Sequence, residues 1–375
     1  MKNNLLAFCI IAAFSSSALA QENNPIVTAV PSLSIAPDSR AGAMGDVGAA
    51  TAPDANSQYW NPAKYVFMES DAGFSLSYTP WLRKLVPDID LAYLAGYWKF
   101  DQRQAVSASL RYFSLGDIDL MDQLGYPQGS AHPNEIAVDA AYSLKLSDKF
   151  SGSVALRFIY SDLNNGINLT SGPEMYVGTA VAADVAAYYK TPVTLETGDG
   201  ILSFGLNVSN IGSKVSYDQK ETSNFIPTNL RLGGSFDYPI DNFNRISVSA
   251  DVNKLLVPTQ NNLTAAEYND MSPLTGIFKS FNDAPGGMSE ELKEVAWSVG
   301  AEYAYNNQFF VRGGYFNENE FKGNRKYFTT GAGFKLNVFQ LDAAYVISTS
   351  QSNPLDQTLR FSLTFDLFGL KNLVK

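Results

Sequence analysis

Cysteine and histidine are almost missing from this chain: each occurs once in 375 residues. Cys9 lies in a stretch that reads as a secretory leader. Lys2 gives the positive start, Leu5–Phe14 the short apolar run, and Ala18-Leu19-Ala20 the small-x-small end before Gln21. The chain from Gln21 onward then lacks cysteine, which excludes disulfides, thiol catalysis and thiolate metal sites. His132 is followed by Pro133 in an expected loop, a poor place for an imidazole that a triad must hold in one orientation. Charge is also scarce, at 17% of residues, against ~25% in ordinary soluble domains. Losing Lys2 takes the basic count from 27 to 26 against 37 acidic residues, a net charge near −11. That sign argues against nucleic acid as a partner. After Ala20 no apolar run reaches the ~20 residues that a membrane helix needs.

Aromatic residues are plentiful, with 24 Phe and 20 Tyr, and apolar residues recur with period two. Leu359, Phe361, Leu363, Phe365 and Leu367 alternate with Arg360, Ser362, Thr364 and Asp366. Ile246, Val248, Ala250 and Val252 alternate with Ser247, Ser249, Asp251 and Asn253. Such alternation marks a strand with one apolar face. The pattern predicts strands at 73–80, 89–100, 105–115, 134–147, 150–162, 177–190, 200–211, 226–237, 243–254, 293–306, 308–318, 325–337, 338–350 and 356–368. The gaps between them alternate short and long, as do the periplasmic turns and outer loops of outer-membrane barrels. A soluble sandwich has no reason for that rhythm.

The fold class is therefore all-β, a transmembrane antiparallel barrel of about fourteen strands whose partner is outer-membrane lipid. In lipid only a closed sheet satisfies every backbone group. The expected organisation is a leader at 1–20, a lead-in and hatch at 21–72, the barrel at 73–368 and a tail at 369–375. The expected location is the outer membrane, with long loops on the cell surface and both ends in the periplasm.

The polar faces should turn inward with Arg111, Asp139, Arg157, Asp184, Arg231, Asp251, Glu302, Arg312, Asp342, Arg360 and Asp366. Both signs are mixed, which suits a lumen of paired charges packed against a plug; a selective pore would favour one sign. No catalytic constellation, cofactor motif or metal motif emerges, so an enzyme is not expected. Asp117-x-Asp119-x-x-Asp122 lacks the glycine and bidentate glutamate of a calcium loop. The longest loop, Leu255–Leu292, carries Ile277, Phe278 and Phe281, apolar side chains that are costly to leave in water. They fit either a partner-binding element or a loop folded over its own barrel mouth.

A family resemblance enters at Arg40-Ala-Gly-Ala-Met-Gly-Asp-Val-Gly-Ala and at Asn61-Pro62-Ala63. The stretch resembles the small-residue hatch of the FadL-like outer-membrane family. Its signature here is Arg40, Gly42, Met44, Gly45, Asp46, Asn61 and Pro62. With Ile35-Ala-Pro-Asp-Ser-Arg40, Tyr59-Trp60-Asn61-Pro62-Ala63 and Ser161-Asp162-Leu163-Asn164, the chain is similar to the PorV (LptO) family of the Bacteroidetes type IX secretion system. The resemblance implies a fourteen-stranded barrel with a hatch. It implies binding of the C-terminal domains of exported cargo and their delivery to a surface attachment complex. Its implied partners are the translocon barrel, those cargo domains and a sortase-like subunit. The alternative is a FadL-like transporter of fatty acids or other apolar molecules, which requires an apolar pocket and a lateral opening.

Overall fold

The computed structural model describes residues 24–83, 86, 88–121, 125–165, 175–218, 221–260, 263–349 and 355–369. The leader, Asp122 and the last six residues lie outside that range. The strands are β1 (Ala72–Pro80), β2 (Asp90–Lys99), β3 (Gln104–Ser114), β4 (Ile118–Met121), β5 (Pro127–Ala131), β6 (Asn134–Lys145), β7 (Phe150–Asp162), β8 (Gly178–Leu195), β9 (Gly198–Gly212), β10 (Asn229–Pro239), β11 (Asn244–Leu255), β12 (Val295–Tyr305), β13 (Phe309–Asn317), β14 (Lys326–Leu336), β15 (Phe339–Ser348) and β16 (Leu359–Asp366). All but β4 and β5, a separate hairpin within the β3–β6 loop, form one closed barrel. It closes where β1 pairs antiparallel with β16, from Gly73 opposite Asp366 to Tyr78 opposite Phe361.

Each wall strand matches one of the fourteen alternating segments, because a side chain every second residue must choose lipid or lumen. Leu232, Val248, Phe204 and Phe361 are exposed on the outside, while Arg231, Asp251, Asn207 and Arg360 are buried within. β2, apolar on both faces in the sequence, has a reason to be so. Leu94 and Trp98 face outward, while Tyr93, Ala95 and Tyr97 are buried inside. Tyr97 stacks on Tyr65 of the segment before the barrel, with ring centroids 5.1 Å apart.

Short turns close one end of the barrel. At Asn306 and Asn307 both φ angles are near +50°, the conformation a two-residue hairpin turn requires and asparagine tolerates. The opposite end carries the long loops, which hold more structure than alternation could show. Residues 255–295 form short helices at Ala265–Asp270, Pro273–Lys279 and Met288–Glu291. The first has a full capping box between Thr264 and Glu267.

Three boundaries differ from the sequence reading. β8 and β9 extend to Leu195 and from Gly198, so their turn is tighter than the period-two pattern suggested. β10 begins at Asn229, because β9 and β10 part company just above it. Ser209 still pairs with Asn229, but Asn210 takes a φ of 60°. Its backbone N–H donates to Asp184 Oδ1 at 2.7 Å, and its side chain donates to the Pro227 carbonyl at 2.9 Å. The strand end bulges inward, and Phe225, Ile226 and Thr228 fold into the mouth.

The described residues nearest the chain ends can also be placed. Asp366 lies at the short-turn end, opposite Gly73. Asn24 and Ala29 instead sit among the long loops, where their N–H groups donate to the carbonyls of Phe321 and Phe225 at 3.1 and 2.9 Å. The described ends therefore lie at opposite mouths. The inward lead-in runs up the lumen because its apolar Val30 and Leu33 find a core there with Ile159 and Ile226.

Candidate functional site

The segment before β1 fills the lumen, and its polar residues are bonded to the wall or to one another. A short helix, Ser39–Gly42, is capped by Asp38, whose Oδ2 accepts from the Ala41 N–H at 3.0 Å. Asp38 Oδ1 accepts from Trp60 Nε1 at 2.6 Å, which ties the two halves of the segment together. Burial pushes the Asp38 carboxyl up to about 6, with the nearby Asp54 charge adding to it. Arg40 reaches Glu302 through Nε and Nη2 at 3.1 and 3.0 Å, and Asp54 through Nη1 at 2.8 Å. Asp46 accepts from Tyr327 Oη at 2.6 Å and pairs with Arg360 at 2.5 Å.

The small residues of the signature are explained by close approach. Gly45, at φ +73°, lies so near the Tyr315 backbone that a Cβ would sit 2.7 Å from it. Its N–H donates to Thr329 Oγ1 at 2.8 Å. Met44 lies against Gly300 and Gly314, where any Cβ would collide with its backbone. Asn61 Nδ2 donates to the carbonyls of Ala49 and Ala187, both at 2.9 Å, and its Oδ1 accepts from the Ala63 N–H at 3.1 Å. Pro62 then starts a 3-10 turn, Pro62–Phe67, at the position where its missing N–H does no harm.

Asp38, inside the Ile35–Arg40 motif but given no role there, belongs to the same lock, as do Gln58 and Lys64, which did not stand out in the sequence. Gln58 donates to Asp139 Oδ1 and accepts from Ser107 Oγ, both at 2.6 Å. Lys64, fully buried, donates to the Gly48 carbonyl at 2.9 Å and Thr51 Oγ1 at 3.1 Å. A polar side chain inside a run of small residues was the available signal. Glycines at inward-facing strand positions were another.

The mixed charges of the inner wall form pairs. Arg157 bridges Asp139 and Asp184 at 3.2 and 2.8 Å. Arg312 bridges Glu302 and Asp342, both at 2.6 Å. Buried guanidinium groups need such partners to offset desolvation. Asp251 Oδ2 accepts from the N–H groups of Gly48 and Ala49 at 2.8 and 2.9 Å. Asp366 accepts from Ser70 Oγ at the short-turn rim.

His132 pairs with Asp117 at an exposed position, and Ser130 donates to Asp119 instead of to the imidazole. A nucleophile–base–orienter line is therefore absent among these residues. Asp117 and Asp119 are each engaged separately, so they do not converge on one point.

The long-loop mouth is organised by ion pairs. Lys254 Nζ lies 3.0 Å from Glu291 and 2.6 Å from Glu294. Lys322 lies 2.6 Å from Glu290 and 3.1 Å from Glu294. Asp283 Oδ2 accepts from the Thr259 N–H at 2.7 Å. This pinned base holds an apolar crest in the open. Leu274 and Phe278, one helical turn apart, are 61% and 77% exposed. Phe281 is also exposed, whereas Ile277 is half-buried.

The barrel resembles solved structures at low sequence identity. The Pseudomonas putida toluene transporter TodX superposes with a TM-score of 0.54 at 10% identity, covering 92% of this chain and 99% of that one. A TodX deltaS2S3 mutant, described as a monoaromatic hydrocarbon channel, gives 0.53 at 11% identity, covering 88% and 98%. These likenesses show the FadL-like fold. A search of curated protein sequences finds no match. The model of one protein family, described as type IX secretion system protein PorV, matches residues 18–262. That match spans more than half of the sequence and includes the lumenal segment and the barrel as far as β11, so the chain belongs to the PorV family of the type IX secretion system.

Proposed function

We propose that this barrel binds the C-terminal domains of exported cargo leaving the type IX translocon and hands them to a sortase-like attachment complex. In this reading the long loops face the cell surface and the short turns the periplasm. The observation that carries it is the crest of Leu274, Phe278 and Phe281 on a loop base fixed by Lys254 and Lys322. Large apolar side chains held in water by a rigid base suit a protein surface. The plugged lumen agrees with this role, since cargo then has only the loops to hold.

The transporter alternative is less well served. β2 and β3 pair along ten consecutive positions and β3 and β6 along eleven, so no gap for lateral exit opens between these strands. The test uses the purified full chain in mild detergent with a cargo C-terminal domain from the same bacterium. A complex that survives size exclusion and is lost in a Leu274→Ser/Phe278→Ser/Phe281→Ser variant supports the reading. Failure of the wild-type barrel to bind any such domain, alone or with the translocon present, overturns it.

A further inference from the structure

Between the lead-in and the β9–β13 wall lies a cavity of about 100 Å³, bordered by Ile26, Leu33 and Ala36 on one side and by Arg231, Asn253 and Phe316 on the other. Arg231 is its distinguishing residue. Arg40, Arg157, Arg312, Arg325 and Arg360 all have carboxylate partners. Arg231, more than nine-tenths buried, forms no ion pair within 4 Å among the described residues; Arg111 shares that property but does not line this cavity, and the nearest acid acting on Arg231 is Asp251, on the adjoining strand and outside the cavity lining. Arg231 Nε donates to Asn253 Oδ1 at 2.8 Å, and its guanidinium lies 4.5 Å from the Trp60 ring centre and 5.4 Å from that of Tyr59. These contacts fix the plane of the group, and among the described residues neither terminal nitrogen has a hydrogen-bond partner. Asn229 Nδ2 also donates to Asn253 Oδ1, at 3.3 Å.

The acids lining the same cavity are already satisfied. Glu294 is held by Lys254 and Lys322, Glu318 is forked by Arg325, and Asp46 is held by Arg360 and Tyr327. What remains is a fixed cation with two free parallel donors, the geometry that takes a carboxylate in bidentate fashion. Size restricts the carrier. A cavity of ~150 Å³ takes a benzene-sized guest, so this one holds a carboxylate with a few further atoms and has no room for a long acyl chain.

We propose that this cavity is a carboxylate-binding site, anchored by Arg231, for a ligand no larger than one terminal amino-acid residue or a short-chain acid. The proposal stands apart from the cargo reading, because it rests on the lumen and not on the loop crest.

Calorimetric titration of the full chain in detergent tests it, with N-acetylalanine as a one-residue peptide end, its C-terminal amide and butyrate as probes. The expected result is that the free acid binds at least about tenfold tighter than the amide, since the amide forfeits the charge-assisted bonds. Arg231→Gln should bring the acid down to the level of the amide, while Arg231→Lys should keep part of the difference. Ala296→Leu, which narrows the cavity and leaves Arg231 intact, should weaken all three probes. Butyrate binding as tightly as the peptide would assign the site to small free acids, and binding of the peptide alone would assign it to chain ends. Equal binding of acid and amide, or no binding of either to the wild-type barrel at millimolar concentration, overturns the proposal.

Discussion

Arg40 and Glu302 meet fork to fork, with Nη2 3.0 Å from Oε1 and Nε 3.1 Å from Oε2. One residue belongs to the lumenal segment and the other to β12. Glu302 also takes Arg312, which continues to Asp342, so one line of charge runs from Asp54 across the plug and into the wall. The whole line is interior, so its members depend on one another more than a surface pair would.

Glu302→Gln should therefore be severe. It leaves Arg40 and Arg312 buried with half of their partners, and breaking such a pair costs about 3–5 kcal/mol. The urea midpoint of the refolded barrel in detergent should fall accordingly. The double change Arg40→Met/Glu302→Met should cost less than the sum of its parts. Additive losses would show that the two residues act independently.

The fit of Met44 between Gly300 and Gly314 makes a second prediction. Gly314→Leu places a side chain where the Met44 and Gly45 backbone now lies. Overpacking of this kind costs about 1–3 kcal/mol, which the wall can withstand and the inserted segment cannot. The variant should still migrate as a folded, heat-modifiable barrel. In planar bilayers it should pass more steady current than the parent. A variant as closed as the parent would mean that the segment has room to shift.

How much of this was legible in the sequence depends on distance along the chain. The wall was, since Thr358–Leu367 or Ile246–Val252 declares its two faces through neighbours alone. The inward glycines were visible as letters without a reason until Met44 was seen against Gly314, 270 residues away. Arg231 looked like one inward charge among eleven. Only pairing in space separates it from Arg157, which has two carboxylates within reach. The place of Val30 and Leu33 in the lumen was not legible in the lead-in itself. Their partners, Ile159 and Ile226, come from the far side of the barrel.

The loop base should be pH-sensitive in a defined window. Burial raises the Asp283 carboxyl from 3.8 to about 6, and the Glu294 and Glu291 charges add to the shift. The folded loop then binds this proton more tightly than the unfolded loop. Its contribution is present at low pH and is lost as pH rises through about 6. Glu290 and Glu291 behave in the opposite sense. The Lys322 hydrogen bond holds Glu290 below its usual 4.5. Burial pushes Glu291 up, but the bonds from the Ala284 N–H and Lys254 outweigh it and hold this carboxyl below 4.5. Their contribution is lost as pH falls through their lowered values. Hydrogen-exchange protection of residues 263–291 should peak in mildly acid solution and decline toward neutrality. Asp283→Asn should abolish that decline, and an unchanged profile would remove Asp283 from the account.

The clamp at Lys254 gives the last prediction. Its Nζ joins Glu291 and Glu294, both nearly buried, and so ties the end of β11 to the return of the chain into β12. Lys254→Met keeps the stem that packs and removes only the charge. Glu294 retains Lys322 at 3.1 Å, whereas Glu291 loses its salt-bridge partner. The loss expected for breaking one such pair is about 3 kcal/mol, the lower end of the range for buried pairs. At 1.4 kcal/mol per decade that is roughly a hundredfold larger open population. Proteolysis that follows the open population should speed up by about the same factor, with cuts confined to residues 263–291 and the barrel intact. Lys254→Met/Lys322→Met should open the loop further, because Glu294 then has no cation at all. Under the cargo reading the single change should also weaken cargo binding, since Phe278 would lose the rigid base that presents it. Fast cleavage with undiminished cargo binding would show that the crest works without its clamp.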